Sequence, residues 1–204
     1  MVSVGQHPCV GIFGGSFDPP HLAHRSLLEA AITQLGLEAL HVIPTGQAWH
    51  KPRPLSPAKH RLAMCQLAFG DLTQVHVDDR ETRRTGPSYT IDTLREIQAQ
   101  QPSAKLFLII GADQAVAFDT WKSWSEIYSI AIISVAEREN VEGFVGRYDI
   151  KTTNPDRFRR LSMPAINISA TDIRNRISAG QAVNALVCEH VARYIAENHL
   201  YQTN

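Results

Sequence analysis

Short apolar runs alternate with helical periodicities along the whole chain. Six apolar runs have strand length and predict β-strands at Val10–Phe13, Leu40–Pro44, Gln74–Val77, Leu106–Ile110, Ile130–Val135 and Ala165–Ile168. The run Leu106–Ile110 contains no polar residue, which is typical of a strand buried on both faces of a parallel sheet. Strands that alternate with helices predict an α/β fold, a Rossmann-like, doubly wound parallel sheet of about six strands.

Apolar residues at helical spacing predict helices between and after these strands, at residues 21–35, 90–100, 171–177 and 186–196. A further helix is expected to follow Ser56 and Pro57, with Ser56 as its N-cap and Pro57 as its first helical residue. Residues 137–163 lack clean periodicity, so we expect an irregular excursion with some short helix there. No domain boundary is evident, and residues 1–204 are expected to form a single domain with a helical C-terminal part.

Composition places the chain among ordinary globular proteins, with 204 residues, 44% of them hydrophobic. The 20 basic and 20 acidic residues cancel, which disfavours nucleic acid and anionic membranes as partners. Three widely separated cysteines show no disulfide or zinc spacing and indicate a reducing compartment. The N-terminal residues lack the layout of a signal peptide, so a cytoplasmic protein is expected. A homo-oligomer is compatible with these properties.

Polar and glycine residues follow the carboxyl ends of four predicted strands, where open α/β sheets bind ligands. They are Gly14, Gly15, His21 and His24 after the first strand, Thr45, His50 and Lys51 after the second, Gly111 and Asp113 after the fourth, and Ser169, Thr171 and Arg174 after the last. A glycine turn that leads into a helix N-terminus is typical of a phosphate site. The four strand ends together predict a cleft that binds phosphorylated ligands.

Each of these features also has a simpler interpretation. The two glycines could form a mere tight turn, and His21 and His24 could be a surface pair or two ligands of a metal ion, because they share one helix face. The segment from Ser169 to Asp172 has the pattern of a capping box, with aspartate in place of the usual glutamate. Asp113 could cap a helix or accept hydrogen bonds from ribose hydroxyls. These alternatives stay open on local pattern alone.

Five blocks of the sequence together resemble the bacterial nicotinate-nucleotide adenylyltransferases. They are GGSFDPPHLAH (14–24), the His50-Lys51 pair, PSYTIDTL (87–94), GADQAVAFDTWKSWSEI (111–127) and ISATDIR (168–174). The first and last blocks are shared by the wider nucleotidylyltransferase superfamily with the (H/T)xGH motif, whereas the blocks at 87–94 and 111–127 are narrower. Two departures stand out: Ala23 replaces the usual glycine before His24, and residues 136–140 lack the family's Arg-Pro-Gly turn.

The resemblance implies transfer of the adenylyl group of ATP to nicotinate mononucleotide, with Mg²⁺ carried by ATP and no metal bound by the protein itself. It implies catalytic roles for His21, His24 and Arg174. It places ATP against Gly14, Gly15, Phe17, Gly111, Asp113, Ile168, Ser169 and Thr171. It places the mononucleotide against Ser16, His50, Lys51, Thr90, Trp121 and Lys122. In this arrangement Thr90 and the main chain of residues 121–122 orient the nicotinate ring, and the Trp121 side chain stacks on it.

The reaction so implied needs no general base, because the attacking phosphate oxygen is already anionic at neutral pH. Positioning and stabilisation of charge on the phosphates are the expected sources of catalysis. Two rival hypotheses are a transferase that prefers nicotinamide mononucleotide and a non-catalytic module that senses ATP. Phosphopantetheine adenylyltransferase is disfavoured because it lacks the narrower blocks.

Overall fold

The computed structural model describes residues 7–46, 54–138 and 155–202. Within these residues one sheet is formed by six strands: β1 (Cys9–Gly15), β2 (Ala39–Pro44), β3 (Val75–Val77), β4 (Lys105–Gly111), β5 (Ala131–Arg138) and β6 (Phe158–Met163). The strand order is β3-β2-β1-β4-β5-β6, and every neighbouring pair is parallel. The predicted Rossmann-like, doubly wound sheet is therefore confirmed.

The prediction of a last strand at Ala165–Ile168 is wrong. Residues 164–169 are irregular, and β6 lies earlier, inside the segment expected to be an irregular excursion. This strand is at the edge of the sheet and pairs with β5 alone, so it needs fewer apolar residues than a central strand. Its buried residues Phe158, Leu161 and Met163 are therefore interrupted by polar residues, which hides the strand from a search for apolar runs.

Eight helices lie in the described part of the chain: α1 (Leu22–Leu35), α2 (Ala58–Phe69), α3 (Arg80–Arg83), α4 (Thr90–Gln100), α5 (Ala112–Val116), α6 (Trp124–Ile130), α7 (Ala170–Ser178) and α8 (Glu189–Glu197). Short 3-10 turns occupy Phe118–Thr120 and Pro155–Arg157. The predicted start of α2 is wrong by one position, because Pro57 is the N-cap. The backbone of Ser56 is instead hydrogen-bonded to Asp18 and Arg61. In the described ranges no helix is long and apolar enough to cross a membrane.

The helices cover both faces of the sheet. On one face α1, α2, α7 and α8 pack on a core that contains Phe13, Leu28 and Ile173. On the other face α4, α5 and α6 pack on a second core that contains Ile12 and Leu94. Because Ile12 and Phe13 are adjacent in β1 and enter different cores, the central strand is buried on both sides.

The order of the strands reverses at β1, which lies between β2 and β4. The pairing of β1 with β4 ends at Ile12 and Leu108, although the strands continue to Gly15 and Gly111. Between their carboxyl ends a crevice can therefore open, which is where doubly wound sheets bind ligands. Most of the predicted site residues lie on segments that begin at this crevice.

Candidate active site

The loop after β1 begins on the surface and then turns into the core. Gly14 is exposed, and the carbonyl of Gly15 accepts a hydrogen bond of 2.8 Å from the amide of Thr45, which joins the ends of β1 and β2. Phe17 has a φ of 47° and is 1% exposed, with its ring packed edge-on against Phe13. Because this ring belongs to the core, only the backbone of Phe17 can face a ligand in the cleft.

The two histidines of the first block stand at the N-terminus of α1. His21 is the N-cap, and its ring stacks on that of His24 with centroids 3.7 Å apart. The amide of His21 donates a hydrogen bond of 3.2 Å to Nδ1 of His24. A neutral imidazole carries one proton, so in His24 that proton is on Nε2. His24 therefore presents Nε2–H as a hydrogen-bond donor.

Burial lowers the pKa of His24 well below its ordinary value of 6.5, and the nearby His21 lowers it further. The cause is the loss of water around the imidazolium and its repulsion from a second basic ring. His24 is consequently neutral at pH 7. Its ring can stabilise an anionic oxygen by donating a hydrogen bond, without gaining or losing a proton.

The alternative of a metal-binding histidine pair is disfavoured by this geometry. Nδ1 of His24 already accepts the backbone hydrogen bond, and the two rings stack face to face at 22° between planes. Among the residues that the structure describes, no group of three or more histidine, cysteine, aspartate or glutamate side chains is placed to hold a metal ion.

The N-terminus of α7 lies beside the loop after β1. The hydroxyl of Ser169 accepts a hydrogen bond of 3.1 Å from the amide of Asp172, so the predicted helix cap is confirmed. The same hydroxyl donates to the Asp172 carboxylate at 2.6 Å. One turn further, Arg174 donates from Nη1 to the carbonyl of Asp18 at 2.8 Å and from Nη2 to the Thr171 hydroxyl at 3.0 Å. These bonds bring together two predicted blocks that are 156 residues apart.

The ends of β4 and of the segment before α7 supply further predicted site residues. Gly111 is the N-cap of α5, and a Cβ atom added to it would lie 2.7 Å from Oδ1 of Asp113. Asp113 is exposed and is the second residue of α5, so the prediction that it caps this helix is wrong, while its contact with ribose stays a prediction. Ile168 packs against the core immediately before Ser169.

The residues predicted to bind the mononucleotide converge only in part. Thr90 begins α4, and Nζ of Lys122 lies 3.9 Å from the ring centroid of the preceding Tyr89. Trp121 is half-buried against Phe118, with ring centroids 5.6 Å apart. The start of α4 and the turn at 121–122 therefore form one wall. Ser16 lies in the loop after β1, while His50 and Lys51 lie outside the described residues.

Two buried carboxylates beneath the cleft were missed by the sequence analysis. Asp18 is 1% exposed and accepts hydrogen bonds from the hydroxyl of Tyr201 and the amide of Ser56. Arg61 is 2% exposed and donates to the carbonyls of Ser16 and Ser56. The sequence contains one indication of a buried charge here. Arg61 has helical spacing with the apolar residues Met64 and Cys65, so it lies on the buried face of α2.

The second buried carboxylate is Glu81, under the opposite wall. It accepts a hydrogen bond of 2.7 Å from the hydroxyl of Thr93 and another from Thr45. Burial raises the pKa of Glu81, although these hydroxyls and the cation of Arg84 oppose the shift. A Cβ at Gly46 would lie 2.2 Å from the Glu81 carbonyl, so the loop after β2 needs glycine for this close approach.

The chain is similar to known proteins over most of its length. The cytidylyltransferase-like family model matches residues 12–176. A probable nicotinate-nucleotide adenylyltransferase of Albidiferax ferrireducens is 58% identical, over 95% of this chain and 98% of the relative. The corresponding protein of Methylibium petroleiphilum is 40% identical, over 94% of this chain and 92% of the relative.

Solved structures show the same fold at low sequence identity. The nicotinic acid mononucleotide adenylyltransferase of Plasmodium falciparum, complexed with NaAD, superposes with a TM-score of 0.77 at 18% identity, over 97% of this chain and 99% of the other. The same protein complexed with APC gives the same values. From the family match and the two bacterial relatives, the chain belongs to the cytidylyltransferase-like family and, within it, to the nicotinate-nucleotide adenylyltransferases.

Proposed function

We propose that this chain transfers the adenylyl group of ATP to nicotinate mononucleotide, which yields nicotinate adenine dinucleotide and pyrophosphate. The observation that carries the proposal is the donor pair at the crevice. His24 is held neutral with its proton on Nε2, and Arg174 is bonded to the loop that leads to His21. Donors for anionic oxygens at a strand-order reversal suit phosphate transfer between two nucleotides. The names of the bacterial relatives support the choice of substrate.

In the proposed reaction a phosphate oxygen of the mononucleotide attacks the α-phosphorus of ATP. The new P–O bond forms as the bond to the β-phosphate oxygen breaks, and pyrophosphate leaves with that electron pair. The attacking oxygen is anionic at neutral pH, so no proton has to be removed from it. The low pKa of His24 fits this chemistry, because the ring acts as a donor and not as a base.

The N-terminus of α7 is proposed to hold the leaving pyrophosphate. The hydroxyl of Thr171 accepts its hydrogen bond from Arg174, so its own proton can be donated to a phosphate oxygen. The hydroxyl of Ser169 already donates to Asp172, so Ser169 is proposed to act through the helix end that it caps. Exposed helix N-termini contribute about 0.3–1 kcal/mol each to such binding, less than the charge of Arg174.

ATP is proposed to enter as its Mg²⁺ complex, in which the ion neutralises phosphate oxygens. His24 and Arg174 are proposed to donate hydrogen bonds to the phosphate oxygens that the ion does not coordinate. On the β4 side, Asp113 is proposed to accept hydrogen bonds from the ribose hydroxyls of ATP. Its exposure at the end of β4 supports this role.

The opposite wall is proposed to bind nicotinate mononucleotide. Lys122 lies over Tyr89, next to Thr90, so its ammonium group can attract the carboxylate that distinguishes nicotinate from nicotinamide. Trp121 is half-exposed and available to stack on the pyridine ring. His50 and Lys51 remain proposed ligands of the mononucleotide phosphate. We also propose that the reaction takes place in the cytoplasm, since all three cysteines are free thiols.

Incubation of the protein with ATP, Mg²⁺ and either nicotinate or nicotinamide mononucleotide tests this proposal. We expect pyrophosphate and dinucleotide in equal amounts, formed faster with nicotinate mononucleotide. Absence of pyrophosphate with both substrates would contradict the proposed reaction. Faster turnover of the amide would contradict the assigned substrate while leaving adenylyl transfer in place.

A further inference from the structure

The loop that carries His21 is held from below by a cluster of buried polar side chains, which we call the loop anchor: Asp18, Arg61 and Tyr201. The carboxylate of Asp18 is the centre of this anchor. Its Oδ1 accepts a hydrogen bond of 2.6 Å from the hydroxyl of Tyr201, and its Oδ2 accepts one of 3.2 Å from the amide of Ser56. At 1% exposure this carboxylate depends on protein donors, because water does not reach it.

Arg61 supplies the opposite charge of the loop anchor. It donates from Nη1 to the carbonyl of Ser16 at 3.0 Å and from Nε to the carbonyl of Ser56 at 2.9 Å. The negative charge of Asp18 favours the ionised form of its guanidinium, against the effect of burial. The hydrogen bond from Arg61 to the carbonyl of Ser16 holds the loop after β1 to α2, and the nearby charge of Asp18 favours the buried guanidinium.

Tyr201 enters the loop anchor from the far end of the chain. It follows α8 with a left-handed backbone, φ 64°, and its hydroxyl reaches an aspartate 183 residues earlier. Burial and the carboxylate of Asp18 raise the pKa of Tyr201, so the phenol keeps its proton and remains a donor. The backbone of the same aspartate accepts the hydrogen bond from Arg174. One residue thus connects Tyr201 to a proposed catalytic group.

We propose that Tyr201 is a positioning residue for adenylyl transfer. By holding the carboxylate of Asp18, its hydroxyl fixes the loop that leads to His21 and the carbonyl that orients Arg174. This role rests on the proposed function, since it concerns the placement of the groups assigned to the phosphates. Misplacing such groups by a fraction of an ångström slows chemistry more than it weakens substrate binding.

A second tyrosine of the same region provides the matched control. The hydroxyl of Tyr194 in α8 is 3.0 Å from Nδ1 of His60 in α2. Like Tyr201, it is half-buried at the edge of the same core and joins distant parts of the chain. This hydrogen bond does not involve the loop after β1 or α7, so its loss should affect stability without affecting the proposed phosphate donors.

The test compares Tyr201→Phe with Tyr194→Phe, because each substitution deletes one hydroxyl and keeps the ring. For Tyr201→Phe we expect kcat to fall about tenfold while KM for the mononucleotide changes by less than about twofold. For Tyr194→Phe we expect kcat to stay within about twofold of the wild type. The thermal midpoint should change by a similar amount in the two variants. The inference is overturned if Tyr201→Phe keeps its kcat, or if both variants lose it equally.

Amide hydrogen exchange without substrates separates this inference from the proposed function. We expect faster exchange at residues 16–24 in Tyr201→Phe and unchanged exchange there in Tyr194→Phe. If the wild type forms no dinucleotide while this difference is seen, the proposed function fails and Tyr201 still orders the loop. If exchange in this segment is unchanged by Tyr201→Phe, the positioning role fails whatever the activity of the wild type.

Discussion

Each of the two walls of the cleft contains a buried carboxylate, but the two carboxylates have different partners. Asp18, a buried residue of the loop after β1, interacts electrostatically with the cation of Arg61 and accepts hydrogen bonds from Tyr201 and Ser56. Glu81, beneath the opposite wall, is bonded to the neutral hydroxyls of Thr93 and Thr45. The carboxylate of the first wall therefore has a buried cation near it, whereas the carboxylate of the second wall is bonded to neutral hydroxyls and burial raises its pKa.

The side chains proposed to bind the ligands also differ between the two walls. His21 is buried, and His24 and Arg174 are held by hydrogen bonds to the backbone of their own or a neighbouring segment. On the opposite wall Lys122 is exposed, with its ammonium group over the Tyr89 ring. Groups assigned to transition-state charge are therefore fixed before substrates bind, while groups assigned to substrate choice are held more weakly.

The largest expected effect is on the fixed wall, at His24. Replacing His24 with alanine removes a preorganised donor to the phosphates, and we expect kcat to fall by about 10²–10³. Steady-state kinetics with saturating ATP and nicotinate mononucleotide measures this. The exposed His76 on β3 is the control, and His76→Ala should keep the wild-type rate. Turnover of His24→Ala within a few-fold of the wild type would remove His24 from the mechanism.

A smaller effect is expected at Arg174. Lysine keeps the charge but lacks the planar fork from which Nη1 and Nη2 of the guanidinium reach the Asp18 carbonyl and the Thr171 hydroxyl. We expect Arg174→Lys to lower kcat/KM for ATP by about 10–100-fold. Arg176→Lys, at an exposed position of the same helix, should be neutral. Equal effects of the two substitutions would contradict a specific role for Arg174.

On the weakly held wall the expected effect is on selectivity. Lys122→Met removes the cation beside Thr90, so KM for nicotinate mononucleotide should rise about three- to tenfold, with kcat nearly unchanged. The amide substrate, which lacks the carboxylate, should be affected less. Lys105→Met is the matched control, because Lys105 also lies over an aromatic ring, that of Phe107, but at the amino end of β4. A similar change in KM for both substrates would contradict recognition of the carboxylate by Lys122.

The smallest expected effect concerns stability and its dependence on pH. The pKa of Glu81 is raised above 4.5, so the folded protein binds this proton more tightly than the unfolded chain. The stabilising contribution of protonated Glu81 is present at low pH and is lost as pH rises through the folded pKa. The glutamine of Glu81→Gln does not ionise, so this variant does not lose stability in that way. Its thermal midpoint should therefore rise relative to that of the wild type between about pH 4.5 and pH 7.

Thermal denaturation of both proteins across this range measures the difference. The exposed pair Glu189 and Arg193 in α8 offers a control, since Glu189→Gln should give no comparable trend. A thermal midpoint of Glu81→Gln that falls relative to the wild type as pH rises would show that Thr93, Thr45 and Arg84 outweigh burial at Glu81.

Sequence patterns predicted the wholly apolar strand β4 better than β6, in which polar residues interrupt the buried ones. β4 was predicted within one residue at each end, because a strand buried on both faces must be apolar throughout. β6 was missed because an edge strand tolerates arginine and serine between its buried residues. The start of α2 was misplaced because Ser56, a good local cap, has its backbone bonded to distant residues.

The predicted site divides in the same way. The histidine pair, the α7 cap and the start of α4 were predicted because each depends on residues within one helical turn. Contacts between these segments were predicted only from the rule that the carboxyl ends of parallel strands lie at one edge of the sheet. The contact of Lys122 with Tyr89 and the bond from Arg174 to Asp18 needed the folded chain.

The fold class, the family and the residues proposed to bind phosphates could be predicted from the sequence, because these predictions depend on local periodicity and on motifs that are contiguous in the chain. The burial that lowers the pKa of His24, the partners of Asp18 and Glu81, and the contact of Tyr201 with a loop 183 residues away required the folded chain. The physical reason is that protonation and the burial of charge depend on all surrounding groups, and most of these groups come from distant parts of the chain.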